Sequence, residues 1–436
     1  MPRHYPPRAA AHRPGGDGAA RAGAQVRQNP RVIVLEVVFW LCAALIVWTQ
    51  LGYALTLFAA ARLFAPAGAS QRERILRSPD RGEAHQKDPR QDDRLPAVSL
   101  IVAAHDEQEV IAAKVANALA LDYPRERLQL IVACDGCGDA TAERTRHAGA
   151  DLVLELPRGG KIRAQDAAVS RADGEIVAFS DANSTWEPDA LRRLVAAFAD
   201  PRVGYVCGQV RFVQGAVGPD ASNQEGVYWR YELALRALES RLCSITAGNG
   251  AIYATRRSSY IVVDPVMGHD LSLPFNMVKR GLRATYEPRA RASEKMVPSL
   301  LGEFARKRRM MSHTWPIVLR GGMLSPRGYP PLYALMIFSH RLLRYASPGL
   351  HALALAANVA LVAGRSSIAG AGLLYVVTLA LQLALLLAAL LAGALRARPL
   401  LIARYYVLTT ASPAAGLWDW LRHGTAASWD AAEGTR

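Results

Sequence analysis

Between residues 95 and 208 short apolar runs alternate with stretches of helical period. Val98-Ser99-Leu100-Ile101-Val102, Leu130-Ile131-Val132-Ala133 and Ile176-Val177-Ala178-Phe179 are too short for helices and rich in β-branched residues, so each reads as a buried strand. Residues 109–121 and 188–199 carry the helical spacing. Strands alternating with helices predict βαβ units and a parallel sheet, hence an α/β domain. Residues 208–300 mix further strands and helices with acidic and Gly-rich turns.

The flanks follow other rules. Residues 1–31 are rich in Arg, Ala, Gly and Pro without apolar period and read as a disordered tail. Residues 32–64 are almost wholly apolar, with Trp40, Trp48 and Tyr53 as interfacial anchors, and exceed the roughly 20 residues that cross a bilayer. Residues 65–94 are charged and read as a solvated linker, leaving a soluble domain over 95–322. Within it, residues 303–319 predict a basic amphipathic helix, interleaving Phe304, Met310, Met311 and Trp315 with Arg306, Lys307, Arg308 and Arg309, that lies along the membrane surface. The remainder, 323–436, is a second membrane region. Residues 332–338 are short and 350–364 borderline, 373–395 are long enough to span, and 402–418 are interrupted by Pro413 and Gly416, which predicts three to four spans in all.

The 436 residues are 51% hydrophobic, with 52 Lys and Arg against 37 Asp and Glu, a formal charge of +15. With long apolar segments and no nucleic-acid motif, that excess fits an anionic membrane surface and anionic substrates rather than nucleic acid. Basic residues beside the apolar segments favour a cytoplasmic domain in a multi-pass protein of the cell membrane. Five cysteines in so long a chain are no disulfide framework; Cys134 and Cys137 form one CxxC without a second half, read as small residues of a strand-end turn. The apolar helices carry no acidic relay of the kind a transporter needs.

The strand ends carry the chemistry. The first ends in Ala104-His105-Asp106-Glu107, the second at Asp135-Gly136, and the third in Ser180-Asp181-Ala182-Asn183. Acidic groups delivered to the carboxyl edge of a parallel sheet stand where ligands bind. A carboxylate and a carboxamide on one turn, Asp181 and Asn183, suit a hard cation such as Mg²⁺ or Mn²⁺, and so predict a metal–diphosphate site. Asp135 alone is equally well read as the cap of a strand-end turn.

In order, these segments resemble a family 2 glycosyltransferase of the membrane-bound bacterial type related to the polysaccharide synthases. The resemblance implies a GT-A fold, the Rossmann-like nucleotide-diphospho-sugar transferase architecture, with transmembrane helices at both ends. It also implies roles. Ala104, Asp106 and Glu107 form the first nucleotide loop, with Asp106 in place of the usual Asn. Asp135 meets uracil, and Lys161, after Gly159-Gly160, meets phosphate. Asp181-x-Asn183 stands where the family has Asp-x-Asp, keeping an oxygen ligand but losing a charge. Gly248, Asn249 and Gly250 form the acceptor-side loop, and in Gly268-His269-Asp270 the family's acidic pair becomes His269, placed on the acceptor side with them, beside Asp270, the implied base. Arg309 matches the Arg of the processive synthases' Gln-x-x-Arg-Trp, whose Gln and Trp are replaced by Arg306 and Met310.

The expectation is an inverting, metal-dependent hexosyltransferase moving a sugar from a nucleotide donor, a UDP-sugar, to a lipid-linked or polysaccharide acceptor. The departures at Asn183, His269, Arg306 and Met310 keep one alternative open: a catalytically weakened nucleotide-binding subunit of a polysaccharide assembly complex.

Overall fold

A computed structural model describes residues 30–64, 94–213, 219–295, 300–364, 371–395 and 397–427. All but the ends of the expected tail and linker, 1–29 and 65–93, fall outside the described residues.

Eight strands form one mixed sheet in the order β3-β2-β1-β4-β7-β6-β8-β5. Strands β1 (Val98–Ala104), β2 (Leu128–Asp135), β3 (Leu152–Leu156) and β4 (Ile176–Asp181) are mutually parallel, as the alternation predicts. Beyond β4 the sheet changes direction: β7 (Ile252–Arg256) runs antiparallel to both β4 and β6 (Val203–Val213). The last strands are β8 (Arg283–Lys295), parallel to β6, and the short β5 (Thr185–Trp186), antiparallel to β8. The reversal brings the start of β7 to the edge where β1, β2 and β4 end.

Each face of the sheet is covered. Val98, Leu100 and Val102 pack with Ile111, Val115 and Ala118 of α1 (Ile111–Leu119) and with Leu191 and Leu194 of α2 (Ala190–Ala197). Ile101 and Ala103, on the opposite face by the period of two, pack with Ala164 and Ala168 of α3 (Lys161–Val169) and Leu273 and Met277 of α4 (His269–Lys279). Burial on both sides is why these strands read as continuous apolar runs.

Among the described residues, three helices are long and apolar enough to cross a membrane: Pro30–Phe64, Pro331–Ala363 and Gly372–Leu391. Leu373, Leu381, Leu387 and Leu390 are exposed along the third, as a lipid-facing surface requires. The segments at 332–338 and 350–364, separate by hydropathy, are one helix with a π-turn at Ile337–Leu342. His340, Arg341 and Arg344 break the apolar run, yet they are partnered: His340 Nδ1 lies 2.6 Å from Glu239, Arg341 donates to Thr246 Oγ1 at 2.8 Å, and Arg344 pairs with Glu232. The helix therefore continues through them.

The fourth C-terminal segment is the continuous helix α5 (Arg398–His423), packed on the amphipathic α6 (Leu300–Leu319). A Cβ on Gly416 would sit 2.5 Å from Met311 Cβ, so only glycine permits this close crossing. Trp315 Nε1 donates to the Pro413 carbonyl at 2.9 Å, and Arg308 pairs with Asp419 through Nε at 2.6 Å.

Candidate active site

The turn after β4 is held from below. Lys114 of α1, buried on the same helix face as Ile111 and Val115, donates to the Ser184 carbonyl at 2.7 Å. The ring of Trp186 lies 5.3 Å from its ammonium, and that indole donates to the Ala251 carbonyl at 3.0 Å. Burial pushes the Lys114 ammonium down to about 7, against the opposing charges of Asp181 and Glu294. Asp181 and Asn183 are thereby presented on a turn pinned to the core.

Lys161 opens α3 and donates to Asp181 Oδ1. Burial opposes its charge, but Asp181, with Asp270 and Glu294 further off, holds it above the ordinary lysine value. Three carboxylates from three distant parts of the chain thus act on one ammonium. Gly250 lies over the pair: a Cβ there would stand 3.3 Å from Lys161 Nζ and 3.9 Å from Asp181 Oδ2. The missing side chain leaves room beside both charges.

The Gly159-Gly160 loop before α3 is ordered by Asp135. Its buried carboxylate accepts the Gly159 N–H at 2.6 Å through Oδ1 and the Gly160 N–H at 2.9 Å through Oδ2. Gly160 has φ +95°, a conformation glycine adopts without strain. A carboxylate has about four lone-pair sites, so two remain for a ligand.

Beside it, His105 Nδ1 lies 2.7 Å from the Asp135 carbonyl, tying the first strand end to the second. Asp106 takes φ +51°, open to short polar residues, and accepts the Gly138 N–H at 2.8 Å. Ala104 is buried. Glu107 is buried as well; its carbonyl starts α1 by accepting from Val110 at 3.0 Å and Ile111 at 2.9 Å. Asp106, Cys137 and Asp139 bring ligand atoms within 4.8 Å of one another, a grouping that the turn's own bonds account for: Asp139 accepts the N–H groups of Thr141 at 3.0 Å and Gln108 at 3.1 Å. Cys134 and Cys137 are free thiols.

Asp270 lies in the first turn of α4, and its carbonyl accepts the Gly248 N–H at 2.7 Å, so the helix start and the Gly-rich loop move as one. Asn249 braces that loop, donating to the Gly208 carbonyl at 2.7 Å and accepting the Ile252 N–H at 2.9 Å. His269 is buried beneath, its Nδ1 2.8 Å from the Tyr253 hydroxyl and its Nε2 3.2 Å from that of Tyr260. Tyr260 donates to Asp166 at 2.5 Å, so its oxygen accepts from Nε2–H and Nδ1 accepts from Tyr253. Burial, with Lys161 adding to it, pushes the imidazole down to about 3, so it is neutral. His269 thus anchors Asp270 rather than supplying a charge.

In α6, Arg306, Arg309 and His313 share a face by their i, i+3, i+7 spacing. Arg306 acts on Glu294 and Arg309 on His313, which in turn feels Asp270. Arg309 itself is exposed. Lys307 and Arg308 point to α5 instead, Lys307 donating to Tyr405 at 2.8 Å.

Sequence reasoning missed Lys114, Glu294 and the Tyr253–His269–Tyr260–Asp166 chain. Two of these had a signal: Lys114 falls on the apolar stripe of its helix, and Glu294 continues the alternation that turns Ala290 and Ala292 inward.

Parallel strands whose carboxyl ends converge on an acidic turn, closed by an antiparallel strand and a second acidic helix start, make this a GT-A fold. A mannosyltransferase from Pyrobaculum calidifontis, solved with GDP-Man and Mn²⁺, superposes with a TM-score of 0.59 at 23% identity, over 89% of this chain and 99% of that one. Over residues 99–261 the chain matches the family described as Glycosyl transferase family 2. It is 27% identical over 242 residues to an N-acetylglucosaminyltransferase of Rhizobium sp. (strain N33), covering 49% of this chain and 52% of that one. It is 24% identical over 225 residues to the poly-β-1,6-N-acetyl-D-glucosamine synthase of Staphylococcus aureus (strain COL), covering 50% and 54%. The chain spans about half the length of the curated relatives it matches.

Proposed function

We propose that this membrane protein transfers a sugar, with inversion, from a nucleoside-diphosphate donor, a UDP-sugar, to a lipid-linked or glycan acceptor at the cytoplasmic membrane face. The observation that carries the reading is the ammonium of Lys161, bound to Asp181 and acted on by Asp270, with Gly250 leaving space above the pair. On this reading the transferase unit occupies 95–322, and the flanking helices anchor it.

Asp181 and Asn183 offer hard oxygen ligands on a pinned turn and so fit Mg²⁺ or Mn²⁺, with Gly250 leaving the space. When bound, the cation neutralises charge on the departing diphosphate. The chain's own groups do the rest. Asp106 and Glu107 shape the nucleoside side, and Asp135 holds the Gly159-Gly160 loop for close backbone approach to the diphosphate. Lys161 exchanges Asp181 for phosphate, and Arg309 helps on the leaving-group side. The loop of Gly248, Asn249 and Gly250, bonded to the Asp270 carbonyl through the Gly248 N–H, receives the acceptor. Asp270 takes the proton of the acceptor hydroxyl as its oxygen bonds to the anomeric carbon; the bond from that carbon to the phosphate oxygen breaks, and the nucleoside diphosphate leaves with the electron pair.

The test uses the full chain in detergent with Mn²⁺ and a panel of nucleotide sugars. The expected result is UDP release that falls at least about 100-fold in Asp270→Asn while UDP binding persists. UDP binding without turnover of any donor by the wild-type chain would favour the weakened-subunit alternative, and no nucleotide binding would overturn both.

A further inference from the structure

Besides Asp181 and Asp270, a third carboxylate reaches this place. Glu294 sits near the end of β8, paired with Phe212 of β6, on the alternation that turns Ala290 and Ala292 into the core. Its Oε1 is buried and, among the described residues, has no hydrogen-bond donor. Ser293, its neighbour, pairs with Thr185 of β5, two residues past Asn183, which sets Glu294 against the Asp181 turn; the charges that act on it are Asp181, Lys161, Arg306 and Lys114. A buried carboxylate oxygen without a donor is costly, and a second carboxylate beside it raises that cost.

Two of the cations nearby bind elsewhere. Lys161 Nζ is bound to Asp181, and Lys114 Nζ to the Ser184 carbonyl at 2.7 Å. Meanwhile Asp181-x-Asn183 brings one negative charge to a cation where two acids would bring two. Hard divalent cations take anionic oxygens first, and one set between two carboxylates removes their repulsion while satisfying both.

We infer that Glu294 is a ligand, together with Asp181 and Asn183, of the divalent cation at the nucleotide-sugar site, supplying from β8 the carboxylate charge that Asn183 does not. The inference rests on the proposed nucleotide-sugar reading.

The test is Mn²⁺ binding, by calorimetry and by the electron paramagnetic resonance of free Mn²⁺, to the full chain in detergent with UDP present. Glu294→Gln is expected to weaken Mn²⁺ at least about tenfold, Glu294→Asp by less, and Asp181→Asn by as much or more. UDP binding without metal should stay within about twofold of wild type in Glu294→Gln, and the melting temperature without Mn²⁺ should be unchanged or raised, since an unpaired buried charge has gone. The Mn²⁺-induced rise in melting temperature should shrink. Wild-type Mn²⁺ affinity in both Glu294 variants, with loss in Asp181→Asn, overturns the inference and leaves the nucleotide-sugar reading standing. A wild-type chain that does not bind UDP overturns that reading and the inference with it.

Discussion

The ammonium of Lys161 donates to Asp181 across the carboxyl edge of the sheet, joining the start of a helix to the end of a strand 20 residues later in the chain. The bond holds both groups beside the space that Gly250 leaves.

Lys161 is bound to Asp181, so on the proposed reading it serves the diphosphate and competes with the cation. Lys161→Met should weaken UDP binding about ten- to a hundredfold, the worth of one charge-assisted contact. The same variant should bind Mn²⁺ without nucleotide more tightly than wild type. Calorimetry with each ligand alone measures both effects, which run in opposite directions.

Gly250 keeps that space open. A single methyl group would reach ordinary contact with Asp181 Oδ2 at 3.9 Å and press on Lys161 Nζ at 3.3 Å, whose flexible stem gives way. Gly250→Ala should lower kcat/KM only several-fold, whereas Gly250→Val should lose about 100-fold or more as its branches fill the site. Both should melt within a few degrees of wild type, which separates blocking from unfolding.

His269 makes stability depend on pH. Burial, then Lys161, holds its folded value near about 3, below its ordinary 6.5. The unfolded chain therefore binds a proton between those limits that the folded chain does not, and stability falls as pH drops through that window. His269→Gln, neutral throughout, should show a shallower decline of melting temperature from about pH 6.5 downward. An equal slope in both proteins would refute the assignment.

Glu239 ties the helices Pro30–Phe64 and Pro331–Ala363 to the Thr246 end of the Gly-rich loop. It accepts from Tyr53 at 2.7 Å and from the Thr246 N–H at 3.0 Å, and lies 2.6 Å from His340. Glu239→Leu should destabilise the detergent-solubilised chain by about 3–5 kcal/mol, because it strands buried partners; Tyr53→Phe should cost about 1 kcal/mol. Thermal unfolding measures both.

Much of this was legible along the chain. The strand ends at Asp106, Asp135 and Asp181 could be read because each follows an apolar run of strand length, and the polar residue after it is local information. The helix 331–363 was not, because hydropathy counts His340, Arg341 and Arg344 as interruptions without knowing that Glu239, Thr246 and Glu232 partner them. His269 read as a lost acid, yet it proves a neutral anchor, since Tyr253 and Tyr260 reach it only once β7 is folded against α4.

By itself, the sequence determined the parallel strands, the acidic turns at their carboxyl ends, and the apolar helices on either side, all of which follow from periodicity and neighbours within a few residues. Tertiary structure decided which charges meet. That Gly250 lies over the Lys161–Asp181 pair and that Glu294 lies beside the same turn depend on β7 and β8 entering the sheet out of chain order. No short-range pattern carries the pairing of strands a hundred residues apart.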